Sequence, residues 1–114
     1  MKHVIAYIKP HKLSEVTLAL HKIEGLPGMT VLDVKGFGRG WQTRKNHMPL
    51  EEQVYDFIPH VRIEIFCGDS LVDEIVDAIQ RSAHTGLRGD GKIYVCETLE
   101  AVRISTGERG PAAV

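Results

Sequence analysis

The apolar residues of this chain fall into four short runs and two helical stripes. Residues 2–9 are almost continuously apolar through Val4, Ile5, Ala6, Tyr7 and Ile8 before Lys9-Pro10, the pattern of a strand covered on both faces. Leu13, Val16, Leu20 and Ile23 then recur at three- and four-residue spacing, which predicts a helix to about residue 24. Gly25-Leu26-Pro27-Gly28 breaks it, and Thr30–Lys35 alternates as a second strand up to Gly36-Phe37-Gly38-Arg39-Gly40. Residues 40–56 are polar and aperiodic, a long loop. Val61, Ile63 and Ile65 alternate with Arg62 and Glu64 as a half-buried third strand. A second helix follows with Leu71, Val72, Ile75, Val76, Ile79 and Ala83 on its apolar side and Asp69 or Ser70 available as its cap. Ile93–Cys96 forms the fourth strand, and a short polar tail follows Val102.

Strand-helix-strand, long loop, strand-helix-strand is the order of an α+β, ferredoxin-like βαββαβ sandwich. It predicts one domain over residues 1–114, with a four-stranded antiparallel sheet and two helices on one face. The first strand would lie between the third and the fourth, so Cys67 and Cys96 would not sit on adjacent strands. The helices leave one sheet face open, and a first strand apolar at both parities then needs a second cover. A partner subunit is the economical one.

Charge and cysteine content narrow the class. Fourteen Lys+Arg against fifteen Asp+Glu give a formal charge of −1, which argues against the basic surface of a nucleic-acid binder. No apolar run approaches the roughly 18 residues of a membrane span, and the start does not read as a signal peptide. Two cysteines in strand-like segments read as reduced core thiols, so a cytoplasmic location is expected.

The most informative stretch for chemistry is Thr85-Gly86-Leu87-Arg88-Gly89-Asp90-Gly91-Lys92. Glycines let backbone amides approach an anion, and lysine adds a mobile charge. Gly86, Gly91 and Lys92 fit the phosphate-loop spacing, but Ile93 stands where a Ser or Thr would hold magnesium. The flanking order, helix before and strand after, is also inverted. A phosphate loop of another design and an ordinary turn are both open on these residues. The Gly36–Gly40 run has Trp41 where a dinucleotide fingerprint needs glycine, although Arg39 suits a phosphate. Six histidines are scattered without a close pair on one helical face or a Cys-x-x-Cys, and only His47, beside Met48, is a weak ligand candidate. No nucleophile–base constellation is present, so an enzyme is not expected.

Four ordered stretches together resemble the PII signalling proteins of nitrogen regulation. Ile8-Lys9-Pro10 with Lys12-Leu13 is similar to their first strand-to-helix junction, and Gly28-Met29-Thr30-Val31 to the opening of their second strand. Val34-Lys35-Gly36-Phe37-Gly38-Arg39 resembles the entry to their T-loop, here residues 40–56. Residues 85–92 resemble the B-loop. Val102-Arg103-Ile104 with Thr106-Gly107-Glu108-Arg109-Gly110 resembles the C-loop over 102–110. The resemblance implies a homotrimer with ATP or ADP in clefts between subunits, magnesium accompanying ATP. The nucleotide state would pass to a partner protein, a membrane transporter among the candidates, through the T-loop. By matching position, Thr30, Gly36, Phe37, Gly38 and Phe66 would line the nucleotide pocket. Arg39, Gly89, Asp90, Gly91, Lys92 and Arg103 would surround the phosphates.

The departures lie where such proteins are tuned. The family's glutamine after Gly-Phe-Gly-Arg is Gly40, its lysine after Phe-x-Pro is His60, its modified T-loop tyrosine aligns with Gln53, with Tyr55 two places on, and its second C-loop arginine is Ser105. These changes argue against 2-oxoglutarate sensing and uridylylation, with bicarbonate the natural alternative effector. A second class of function is a metal-binding ferredoxin-like trimer resembling copper-tolerance proteins, with His47 and Met48 as ligands. The glycine-lysine loop has no role there.

Overall fold

The computed structural model describes residues 1–37 and 57–114; Gly38, Arg39 and the expected loop at 40–56, with His47, Met48, Gln53 and Tyr55, lie outside them. Four strands, β1 (Lys2–Ile8), β2 (Met29–Gly36), β3 (Ile58–Cys67) and β4 (Gly91–Glu97), form one sheet in the order β2-β3-β1-β4. All its pairings are antiparallel. Helices α1 (Leu13–His21) and α2 (Val72–Ala83) complete the ferredoxin-like architecture expected from the element order.

The core follows from strand periodicity. Val4, Ala6 and Ile8 of β1 and Val61, Ile63, Ile65 and Cys67 of β3 point to the helices and are buried with Val16, Leu20, Ile75, Ile79 and Ala83. β1 and β3 supply these rows because they are the central strands. β2 and β4 are edges, and Val31 and Val95 remain about half exposed although their register places them on the helix side. The other face of β1 carries His3, Ile5 and Tyr7, all half-buried. Burial pushes the Cys67 thiol up, and β1 lies between it and Cys96. Both cysteines are free.

Four expectations shift. The first helix ends at His21, and Ile23 is buried in the turn beyond it, where its amide donates to the Leu20 carbonyl. Neither Asp69 nor Ser70 caps α2. They open a 3-10 turn (Asp69–Leu71), and the Asp69 carboxylate instead meets the N-terminal ammonium of Met1 at 2.9 Å, which holds it below the usual carboxylate range. The fourth strand begins at Gly91, two residues before Ile93. Cys96, expected with Cys67 as a core thiol, is exposed on the edge strand β4. The polar tail after Val102 carries its own pairing: Val102 bridges Arg109, Arg103 N–H donates to the Glu108 carbonyl at 2.9 Å, and a 3-10 turn closes Gly110–Ala113.

Candidate functional site

A strand that pairs on both sides places alternate side chains on the open face at fixed steps. In register, Tyr7 lies opposite Lys92 and Val34 opposite His60. These residues meet the turn after β1 and the loop before β4 at one end of the sheet. The result is a cleft of about 1120 Å³. Its apolar walls are Val34, Phe37, Ile58, Pro59, Tyr7 and Tyr94, and its cations are Lys9, Lys35, Arg88 and Lys92, with His11 and His60. Asp90 is the one carboxylate among the described residues that line it. A smaller hollow of about 350 Å³ beside α1 carries one titratable side chain among the described residues, His21.

The loop between α2 and β4 is held by its own carboxylate. Asp90 Oδ2 accepts from the backbone N–H of Thr85 at 2.9 Å and of Gly86 at 3.2 Å, while Oδ1 accepts from the Thr85 hydroxyl. Lys9 closes the cluster, its ammonium lying 3.2 Å from Asp90 Oδ1 and 3.1 Å from Thr85 Oγ1. The Thr85 hydroxyl bond, then the Thr85 amide, with Lys9 and the Gly86 amide behind them, hold the Asp90 carboxyl far below its ordinary value. Asp90 therefore braces the loop, and its charge is met by Lys9 before any ligand arrives. Lys35, Arg88 and Lys92 are left to give the cleft its positive potential.

Gly91 sits where the loop joins the sheet, at φ +103°. A Cβ there would lie 1.7 Å from the Tyr7 carbonyl oxygen. Only glycine lets β4 start this close to β1, and Lys92 consequently enters the cleft from the second residue of the strand.

Because Asp90 is depressed relative to the unfolded chain, its stabilising contribution is fully present above the ordinary carboxylate pKa and is lost as pH falls through the folded value. Urea-unfolding midpoints measured across acid pH should decline in the native chain, and Asp90→Ala should be less stable at neutral pH with a shallower acid decline. Equal acid slopes in the two proteins would contradict the brace.

The residues nominated from sequence divide into three groups. Gly36, Phe37, Gly89, Asp90, Gly91 and Lys92 line the cleft together. Thr30 and Phe66 do not. Thr30 pairs with Glu64 and Phe66 with His3, toward the other end of the open face; Thr30 is six residues from Gly36 along β2, a separation of about 20 Å. Arg103 stands in the C-terminal turn and reaches the Ala112 carbonyl. Gly38 and Arg39 lie outside the described residues. Tyr7, Lys9, Lys35, His60, Arg88 and Tyr94 were not nominated, and the signal that could have found the open-face members is parity along β1, β3 and β4.

A polar and aromatic chain joins the two ends of the open face. His3 stacks on Phe66 with ring centroids 4.2 Å apart, and its Nε2 lies 3.3 Å from Glu64. Arg62 donates to Glu64 and, at 2.9 Å, to the Tyr7 hydroxyl, while Tyr7 meets Tyr94 edge-on at 6.3 Å. The Arg62 hydrogen bond holds the Glu64 carboxyl below its usual range. Phe37 at the edge of the cleft packs against Phe57, with ring centroids 5.3 Å apart.

This architecture coincides with a match along the chain. A model of the family described as "Nitrogen regulatory protein P-II" covers residues 1–108. The chain belongs to the P-II family. It is 50% identical to the nitrogen regulatory protein P-II of Azospirillum brasilense, 51% to that of Rhodospirillum rubrum and 48% to nitrogen regulatory protein P-II 1 of Escherichia coli K12, each alignment covering 100% of both chains. P-II proteins are named for regulation rather than for a reaction, and at that level this chain is a signalling regulator. Family membership also removes the basis for the copper-tolerance reading. Among the described residues no group of three His, Cys, Asp or Glu side chains is placed to hold a metal, and no helix is long and apolar enough to cross a membrane.

Proposed function

We propose that this P-II protein senses ATP or ADP and reports the bound nucleotide to a partner protein through segment 40–56. The observation that carries the reading is the position of the cleft. Its cations suit a polyphosphate, its aliphatic and aromatic walls suit a base and ribose, and it includes Gly36, Phe37, Ile58 and Pro59, the two stems of that segment. A ligand seated there touches the part of the chain that a partner would read. Magnesium would come with ATP, held chiefly by phosphate oxygens, since Gly40 offers no ligand. The partner is a protein, with a membrane transporter among the candidates.

The reading includes a homotrimer with nucleotide between subunits. Thr30, Phe66 and Arg103 lie apart from the cleft within one chain, so a site using all of them takes its two sides from two copies. Apolar surface supports the same assembly: Leu99 and Ile104 are 95% and 100% exposed, and Phe66 and Tyr94 are half exposed on the open face. Such side chains are stabilised when a neighbouring subunit covers them.

Calorimetry with ATP, ADP and AMP tests the site. Lys92→Ala removes a phosphate-facing cation and should weaken ADP binding by roughly tenfold to a hundredfold, the worth of one charge-assisted contact. Arg103→Ala should weaken it from the opposite side while leaving the cleft of its own chain unchanged. Unaltered affinity in both variants would remove the phosphate assignment.

A further inference from the structure

The His60 ring bridges two backbone carbonyls. Nδ1 lies 3.2 Å from the Ile58 oxygen and Nε2 lies 3.4 Å from the Gly89 oxygen. The first contact is within β3, and the second spans the cleft to the loop that Asp90 braces. A neutral imidazole carries one N–H and must turn a lone pair toward one of these oxygens, whereas an imidazolium donates to both. We propose that His60 is a proton-operated latch: its protonation fastens the Gly89 end of the loop to β3, adds a cation to the cleft, and tightens binding of a nucleoside polyphosphate as pH falls. The inference rests on the polyphosphate reading of the cleft and names a control on that same site.

The electrostatic surroundings give the latch its dependence on ligand. The groups that share the cleft with His60 are Lys35 from β2, Lys9 and His11 from the turn after β1, Arg88 and Asp90 from the loop and Lys92 from β4, with the phenols of Tyr7 and Tyr94. Farther along β3, Arg62 and Glu64 pair with one another. Asp90 is the only anion facing the cleft among the described residues, and it is already matched by Lys9. A bound polyphosphate places negative charge beside the ring, which an imidazolium meets better than a neutral imidazole. Ligand and proton favour one another, and by linkage each raises the affinity of the other. Histidine is the side chain whose ordinary charge change falls between pH 5 and 8, so pH is the variable that tests the coupling. A lysine at this position would be charged throughout and would lack the switch. His60 acts through Gly89 and through its charge, so it is a positioning residue.

The experiment compares the full chain with His60→Gln and His60→Lys. ADP binding is measured by calorimetry at acid, neutral and alkaline pH, in buffers of different ionisation enthalpy to count protons. Free ADP titrates identically in all three experiments, so differences between the proteins isolate the effect of residue 60 on the bound state. The native chain should lose about threefold to tenfold more affinity than the glutamine variant on going from acid to alkaline pH. At neutral pH it should also take up more protons on binding, and the lysine variant should follow the glutamine slope. Equal pH slopes and proton counts in native and glutamine proteins would overturn the latch. If ADP binds none of the three, the polyphosphate reading fails, and the latch is decided on the free protein by nuclear magnetic resonance. The Asp90 and Gly91 amide signals should then titrate together with the residue 60 ring carbon in the native chain and lose that step in His60→Gln. Absence of the shared step in the native chain would overturn the latch by itself.

Discussion

Gly91→Ala should cost the protein about 3 kcal/mol of stability or more, through both backbone strain at positive φ and a collision that no rotamer relieves. The obstacle is the Tyr7 carbonyl oxygen, 1.7 Å from where the new Cβ would stand, and its carbon follows at 2.7 Å. Both belong to the backbone of the central strand β1, so relief requires β4 to retreat from its partner at Ile8↔Gly91 and Tyr7↔Lys92. Urea unfolding measures the loss directly. Gly28→Ala is the matched control: no atom lies within 4 Å of a Cβ there, and its backbone is not in the left-handed region, so a change within about 0.5 kcal/mol is expected. ADP affinity should fall with Gly91→Ala even in the fraction that folds, because Lys92 moves with the strand. Comparable unfolding midpoints for Gly91→Ala and the native chain would show that the close approach of β4 to β1 is not a constraint.

Ile5→Glu should dissociate the proposed trimer at micromolar concentration. Ile5 points away from the helices, between Glu64 on β3 and Tyr94 on β4, and is half-buried within one chain. Under a second subunit the new carboxylate would be buried beside an existing carboxylate, and the neighbouring cation, Arg62, is already engaged by Glu64 and the Tyr7 hydroxyl. A single uncompensated charge of that kind costs about 3–5 kcal/mol, and symmetry repeats it in every subunit. Tyr7→Glu should act more weakly, because Arg62 and Lys92 stand opposite residue 7 and would meet the new carboxylate, although the hydroxyl that accepts from Arg62 is lost. Leu18→Glu places the same charge on the outward side of α1, where the side chain is 60% exposed, and should leave assembly unchanged. Light scattering with multi-angle detection distinguishes these outcomes. A native chain that is a folded monomer at the same concentration would overturn the trimer.

The element order was legible because its signal is local. Alternation at Val61, Ile63 and Ile65 and the helical stripe through Ile75 and Ile79 record burial on one face, and all five residues are core. The split βαβ order was enough to place β1 between β3 and β4, since that topology admits one economical sheet. Asp69 shows where local reading stops. Its position and chemistry suit a helix cap, but the Met1 ammonium, far away in sequence, reaches it. A full positive charge outcompetes backbone amides for a carboxylate.

The glycine-lysine loop was legible as a candidate site from composition alone, and its three glycines, Gly86, Gly89 and Gly91, all have positive φ. What Asp90 and Gly91 do within it was not. Their roles depend on Thr85 and Lys9 in one case and on the Tyr7 carbonyl in the other. The sequence by itself determined the ferredoxin-like order, the two-sided central strand, the P-II resemblance and a cation-bearing loop, because each is written in residue type and spacing over short stretches. The tertiary structure decided which residues share the cleft, that Thr30 and Phe66 stand away from it, and that His60 spans from β3 to the loop. The physical reason is register: strand pairing sets which side chains meet across the sheet, and a shift of one residue would send every one of them to the other face.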